Sequence, residues 1–141
     1  MYTELDKYLS GFFTEDSWYD DGFEIAREML EEFNDNDWEK LLSDILLKSV
    51  EWQIRFAYCV DSNINDENII KCLIILSNLD NEALFEGCID SLRCIVNSEN
   101  IESISKDKIL IEKVKKLLPM CGDVTRKIFE DFLIKLKDKI I

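Results

Sequence analysis

Apolar residues recur at intervals of three and four along most of the chain, with short polar stretches between them. In residues 82–96, for example, Phe85, Cys88 and Leu92 lie on one helical face, which is typical of an amphipathic helix. Four Gly and one Pro in 141 residues are too few for the turns of a β-sandwich or β-barrel. The sequence therefore predicts an all-α fold.

Only the stretch EWQIRF, residues 51–56, alternates polar and apolar residues like a strand. On a helical wheel, however, Glu51, Arg55 and Tyr58 fall in one narrow polar stripe, with Glu51 and Arg55 at a spacing that suits an ion pair. Gln53 then lies among apolar neighbours, where its amide needs a hydrogen-bond partner. Because no second strand is available for pairing, we interpret residues 51–60 as a central, largely buried helix.

The predicted helices group into pairs joined by polar turns. Asn36 or Asp37 is a candidate N-cap for the first helix of a pair, Ser49 for the next helix and Asp66 for the one after it. Units that start near 36, 66 and 106 give spacings in the range of two-helix solenoid repeats. We therefore predict one domain, 1–141, of about eight helices in stacked antiparallel pairs. The parts are N-terminal capping helices in 1–34, helix pairs in 36–61, 66–97 and 106–140, and a polar loop at 97–105.

The cysteines and the apolar runs bear on the compartment. Five Cys, with no C-x-x-C spacing, lie mostly inside apolar helical runs, which is typical of reduced thiols in the cytosol. The first residues do not follow the basic-then-apolar pattern of a signal peptide, and no apolar run approaches the about 18 residues of a membrane helix. We expect a soluble, cytoplasmic protein that does not bind membranes.

The chain is strongly acidic and offers few parts for catalysis. Its formal charge is −13, and residues 1–40 alone hold 13 acidic and 3 basic residues, so direct binding of nucleic acid is not expected. There is no His and no glycine-rich phosphate loop. The DND stretch at 35–37 fits helix capping better than a metal site. We predict a protein that is not an enzyme and needs no metal or cofactor.

Two features of the N-terminal region suggest a binding surface. Glu24, Glu28 and Glu32 repeat at four-residue spacing, where like charges repel one another. Just before them, EDSWYDDGF sets Trp18 and Tyr19 among acids, and aromatic rings ringed by carboxylates suit an interface with a cationic protein. The alternative is a solvated helix face with both aromatics tucked under the first helix. The predicted contact residues are Glu15, Asp16, Trp18, Tyr19, Asp20, Asp21, Glu24, Glu28, Glu31 and Glu32.

The helix pairs that end in WQIRFAYCV and LFEGCIDSLRCIV, on a small acidic chain with several Cys, resemble a known family. They are similar to the HEAT-like α-helical immunity proteins of bacterial polymorphic-toxin and contact-dependent growth inhibition systems, over about residues 36–100. The resemblance implies a short HEAT-like α-solenoid that binds the toxic domain of a secreted effector, commonly a nuclease. It transfers no functional residue, because these proteins share no binding motif.

Two functions are hypotheses at this point. The first is an immunity protein, or antitoxin, that occludes a basic nuclease toxin with its acidic surface, so that association depends on salt. The alternative is a HEAT-like scaffold or adaptor that binds a cellular protein through an apolar or mixed groove, with weak salt dependence. We expect a monomer in either case.

Overall fold

The computed structural model describes residues 1–64 and 66–140, with side chains through Lys137; Asn65 and Ile141, which fall inside the predicted domain, lie outside the described residues. All regular secondary structure in the described part is helical, so the all-α prediction is confirmed. The α-helices are α1 Tyr2–Leu9, α2 Glu15–Ser17, α3 Phe23–Glu31, α4 Asp35–Asp44, α5 Val50–Cys59, α6 Glu67–Ser77, α7 Glu82–Ile95, α8 Ile101–Ser105, α9 Lys108–Leu117 and α10 Asp123–Ile140.

Three shorter helical segments continue some of these helices. A π-helical segment, Trp18–Gly22, joins α2 to α3, and 3-10 turns at Ile45–Leu47 and Leu118–Met120 follow α4 and α9. If α2, the π segment and α3 are taken as one continuous helix, the described residues form 9 helices, close to the predicted eight. Among the described residues, no helix combines the length and the apolar character needed to cross a bilayer.

The helices enclose one hydrophobic core, and α7 lies at its middle, packed against α5, α6 and α10. Two large apolar side chains of α5, Trp52 and Phe56, are at most 2% exposed, as expected for a largely buried helix. Helix α5 also contacts α1 and α3, so it joins the N-terminal helices to the rest of the core. The amide of Gln53 donates to Ile45 O at 2.9 Å, which supplies the partner that its buried position requires.

The N-caps show where local sequence was sufficient. Ser49 and Asp66 cap α5 and α6 as predicted, each accepting a hydrogen bond from a backbone amide of the first turn. For α4 the prediction of Asn36 or Asp37 was wrong by two or three residues, because Asn34 is the cap and both predicted residues lie inside the helix. Asp37 accepts from the Asn34 amide in a capping box, so the DND stretch does serve helix capping.

The predicted polar loop at 97–105 was partly wrong, since its second half forms α8. Ile101 and Ile104 lie three residues apart and are buried, and α8 packs against α10. Before the helix, the amides of Asn97 and Asn100 each donate to the other residue's side-chain oxygen and close a tight turn. The two isoleucines bury enough apolar surface to fold a segment that is otherwise polar.

Candidate protein-binding surface

The predicted contact residues lie on the continuous helix that begins at α2 and ends with α3, and the last of them, Glu32, is the C-cap residue of that helix. Thr14 caps it, its hydroxyl accepting from the Ser17 amide at 3.1 Å, and Asp20 lies inside the π segment. The Tyr8 hydroxyl on α1 donates to Gly22 O at 2.9 Å, at the end of the π segment. A π segment inserts an extra residue per turn and rotates the helical residues after it, and such segments are frequent at functional sites.

Trp18 lies beneath this surface rather than on it. Its side chain is 3% exposed, with the Phe13 ring at 5.2 Å and the guanidinium of Arg55 5.8 Å from its ring centroid. A residue that is buried to this degree supports the helix from below and offers no area to a partner. The prediction of Trp18 as a contact residue is therefore corrected, and the alternative of an aromatic packed inward holds for this ring.

Tyr19, the neighbour of Trp18, is 49% exposed and joins two other aromatic side chains. Its ring lies 4.8 Å from that of Tyr58 on α5, and Tyr58 in turn lies 5.2 Å from Phe23 on α3, both in edge-to-face geometry. Tyr58 is 39% exposed. We call Tyr19, Phe23 and Tyr58 the aromatic trio. It ties the acidic helix to α5 and leaves two tyrosines open to a partner.

The eight predicted acidic contact residues are all exposed, and none of them pairs with another described residue through an ion pair or a side-chain hydrogen bond. The only base in 15–32, Arg27, is already engaged. Its Nε donates to Cys59 O at 2.8 Å and lies 3.2 Å from a carboxylate oxygen of Asp61. The carboxylates of this helix thus have no basic side chain paired with them among the described residues.

The acids do not all face one way. Along α3, Glu24, Glu28 and Glu31 fall within about 60° of a helical wheel and form one ridge. Asp21 lies instead on the side of α1, where its carboxylate adds to burial in raising the pKa of Tyr8. A partner that contacts the ridge along α3 therefore contacts Asp21 only by wrapping around the helix.

Sequence reasoning missed a second part of this surface, on α5. A cleft of about 150 Å³ between the start of the acidic helix and α5 is bordered by Glu15, Tyr19, Glu51 and Ile54. The predicted ion pair of Glu51 with Arg55 is absent, because Arg55 donates to Leu9 O at 2.7 Å and to Gly11 O at 2.8 Å. The polar stripe of Glu51, Arg55 and Tyr58 was the available signal for this part.

The surface is suited to binding a cation by charge and ring contact. Within residues 1–64 and 66–140, no three His, Cys, Asp or Glu side chains are placed to hold a metal ion together. The chain matches no protein-family model, and neither the curated proteins nor the solved structures include a significant match.

Proposed function

We propose that this protein is an immunity protein that binds a cognate basic toxin domain in the cytoplasm and neutralises it without catalysis. The observation that carries the proposal is the set of eight exposed carboxylates on residues 15–32, which have no internal partner while Arg27 is engaged elsewhere. The resemblance of residues 36–100 to HEAT-like immunity proteins points the same way. The free cysteines Cys59, Cys72 and Cys88, all buried, suit the reducing cytoplasm.

The physical basis is electrostatic attraction between opposite surfaces. A nuclease must attract phosphate, so its active site is basic, and a carboxylate surface can occupy the same site. A field of this sign raises the association rate to about 10⁸ M⁻¹s⁻¹ or more at low salt, and the rate falls as ionic strength rises. The tyrosines of the aromatic trio add contact area of the kind that is enriched at interface hot spots.

The test begins with the coding sequence beside this one, because toxin and immunity genes are typically neighbours. The C-terminal domain of any large secreted protein encoded there is expressed with and without the tagged chain. Growth of the host and recovery of a stoichiometric complex at low and high salt are then measured. Rescue of growth together with a salt-sensitive complex supports the proposal, and a neighbouring domain that is harmless when expressed alone contradicts it.

Charge reversal tests the surface itself. Replacing Glu24, Glu28 and Glu32 together by Lys is expected to slow association markedly, since it reverses two of the three ridge carboxylates and the neighbouring Glu32. The matched control makes the same charge change at three exposed acids of other helices, Glu102→Lys, Glu112→Lys and Glu130→Lys. If both triple variants associate equally fast, net charge rather than this surface drives binding.

A groove elsewhere favours the second candidate, a HEAT-like scaffold that binds a cellular protein. It has a volume of about 450 Å³ and lies between α4, α6 and α8, with Leu42, Ile70, Ile74 and Ile75 among its lining residues. An apolar groove of this kind binds a helix or an extended segment mainly by hydrophobic contact. Under this candidate, complex formation depends little on salt, and Ile74→Ser weakens it while the ridge variant does not.

A further inference from the structure

The aromatic trio and the cleft beside it form a continuous surface that spans two elements. Tyr19 contributes to both, because it borders the cleft and its ring contacts Tyr58. On α5, Glu51 and Tyr58 are seven residues apart and therefore lie on the same helical face, two turns from each other. The surface thus offers two half-exposed tyrosine rings next to a small cleft.

The lining of the cleft holds more acidic than basic side chains. Glu15 and Glu51 border it from opposite sides, and neither carboxylate pairs with another described residue. Arg55 also borders the cleft, but its guanidinium is held in place by hydrogen bonds to the carbonyls of Leu9 and Gly11 and packs over the Phe13 ring at 4.9 Å. The cleft therefore holds two unpaired carboxylates against one guanidinium that is fixed on backbone carbonyls, and it stays net negative beside exposed aromatic rings.

We propose that this surface binds one arginine side chain from a basic segment of the partner protein. A planar guanidinium can lie on a tyrosine ring while its N–H groups donate to carboxylates on either side. A cleft of about 150 Å³ is below the usual size of a small-molecule pocket, so one side chain fits it better than a free ligand. The inference rests on the proposed function for the identity of the partner, and it adds α5 to the contact surface.

The test is an NMR titration of the full chain with a defined probe, an acetylated peptide of four Gly-Arg repeats. Citrulline has the shape of arginine without its charge, so the citrulline version of the peptide is the matched control probe. The arginine peptide is expected to shift the resonances of Tyr19, Ile54 and Tyr58, while the citrulline peptide leaves them unchanged. Shifts that centre on another surface would overturn the inference.

Variants then separate ring from charge. Tyr58→Ser is expected to lower the affinity for the arginine peptide about two- to fivefold, the factor that an exposed cation–π contact supplies. Tyr58→Phe is expected to keep the wild-type affinity, because it keeps the aromatic ring. Glu51→Gln, at an exposed position that leaves the fold intact, is expected to lower the affinity by a similar factor, about two- to fivefold. The control variant is Glu130→Gln, at an exposed acid on α10. If Glu130→Gln lowers the affinity for the arginine peptide as much as Glu51→Gln does, the inference is overturned.

The same variants distinguish the inference from the proposed function. If the wild-type chain and the Glu51→Gln and Tyr58→Ser variants bind a neutralised toxin equally well, the docking surface is refuted and the immunity function stands. If the peptide docks at Tyr58 as expected and no toxin is found, the immunity function is refuted and the arginine surface stands. Loss of toxin affinity in both variants, with Glu130→Gln unchanged, supports both.

Discussion

The same substitution, Gly to Ala, is expected to have opposite effects at two helical positions. In a helix interior it stabilises a protein by about 0.5–1 kcal/mol, because Ala loses less backbone freedom on folding. At Gly87, the neighbouring helix is α5, and a new Cβ would meet only the Ala57 Cβ, at 3.9 Å. That distance is ordinary van der Waals contact, so Gly87→Ala is expected to raise the free energy of unfolding by nearly the full amount, about 0.5–1 kcal/mol.

At Gly22, at the end of the π segment, a new Cβ would lie 3.1 Å from Ser17 O and 3.2 Å from Trp18 Cε3. The first atom belongs to the backbone, and the Trp18 ring is 3% exposed and packed against Phe13, so neither can move away freely. Overpacking of this kind costs about 1–3 kcal/mol. After the gain in helix propensity is subtracted, Gly22→Ala is expected to lower the free energy of unfolding by about 1–2 kcal/mol.

Urea denaturation followed by far-UV circular dichroism measures both effects as differences in the free energy of unfolding. In thermal scans, a change of 1 kcal/mol corresponds to a shift of about 3–4 °C for a chain of this length. Tryptophan fluorescence of the folded Gly22→Ala variant should also change, because the Trp18 ring must shift. A Gly22→Ala protein as stable as the wild type, or a Gly87→Ala protein less stable by 1 kcal/mol, would refute this account of the two positions.

Two further predictions concern a carboxylate and the thiols. Burial alone would raise the pKa of Asp37, but hydrogen bonds from the amides of Asn34 and Tyr2 outweigh it and hold the pKa below its usual value. The ionised Asp37 therefore stabilises the fold above about pH 4, and this effect is lost as the pH falls through the lowered pKa. Asp37→Asn should lower the free energy of unfolding by about 1–2 kcal/mol at pH 7. Urea denaturation at a series of acidic pH values should show a progressively smaller difference from the wild type. Burial also raises the pKa of Cys59 to about 12, so a thiol reagent should label exposed Cys94 first and Cys59 only on unfolding, as mass spectrometry of the labelled peptides would show. Labelling of Cys59 in the native protein at the rate of Cys94 would contradict that burial.

The sequence was sufficient wherever the determining contacts are local. Ser49 could be recognised as a cap because its hydroxyl bonds the amide three residues on, and α5 could be recognised as a helix from its periodicity. The opposite fates of Trp18 and Tyr19 could not be predicted, because the π segment alters the helical register between α2 and α3. The contact between Tyr19 and Tyr58 could not be predicted either, because it depends on how two segments distant in sequence pack together.

The failure of the predicted ion pair between Glu51 and Arg55 has a physical reason that bears on function. The last carbonyls of a helix have no intrahelical partner, and cations near that end are favoured by the helix dipole. Arg55 donates to Leu9 O at the end of α1, and Arg27 donates to Cys59 O at the end of α5. Both arginines beside the acidic surface are thus used to complete helix ends.

The carboxylates on residues 15–32 are left to repel one another as a result. Each pair of like charges at four-residue spacing costs only a few tenths of a kcal/mol, and salt screens it over about 8 Å at physiological ionic strength. The fold tolerates that cost. A basic partner would remove it as well as adding its own contacts, so binding should raise the free energy of unfolding of this chain, and most strongly at low salt. Thermal unfolding of the complex at two salt concentrations measures this stabilisation and its dependence on salt.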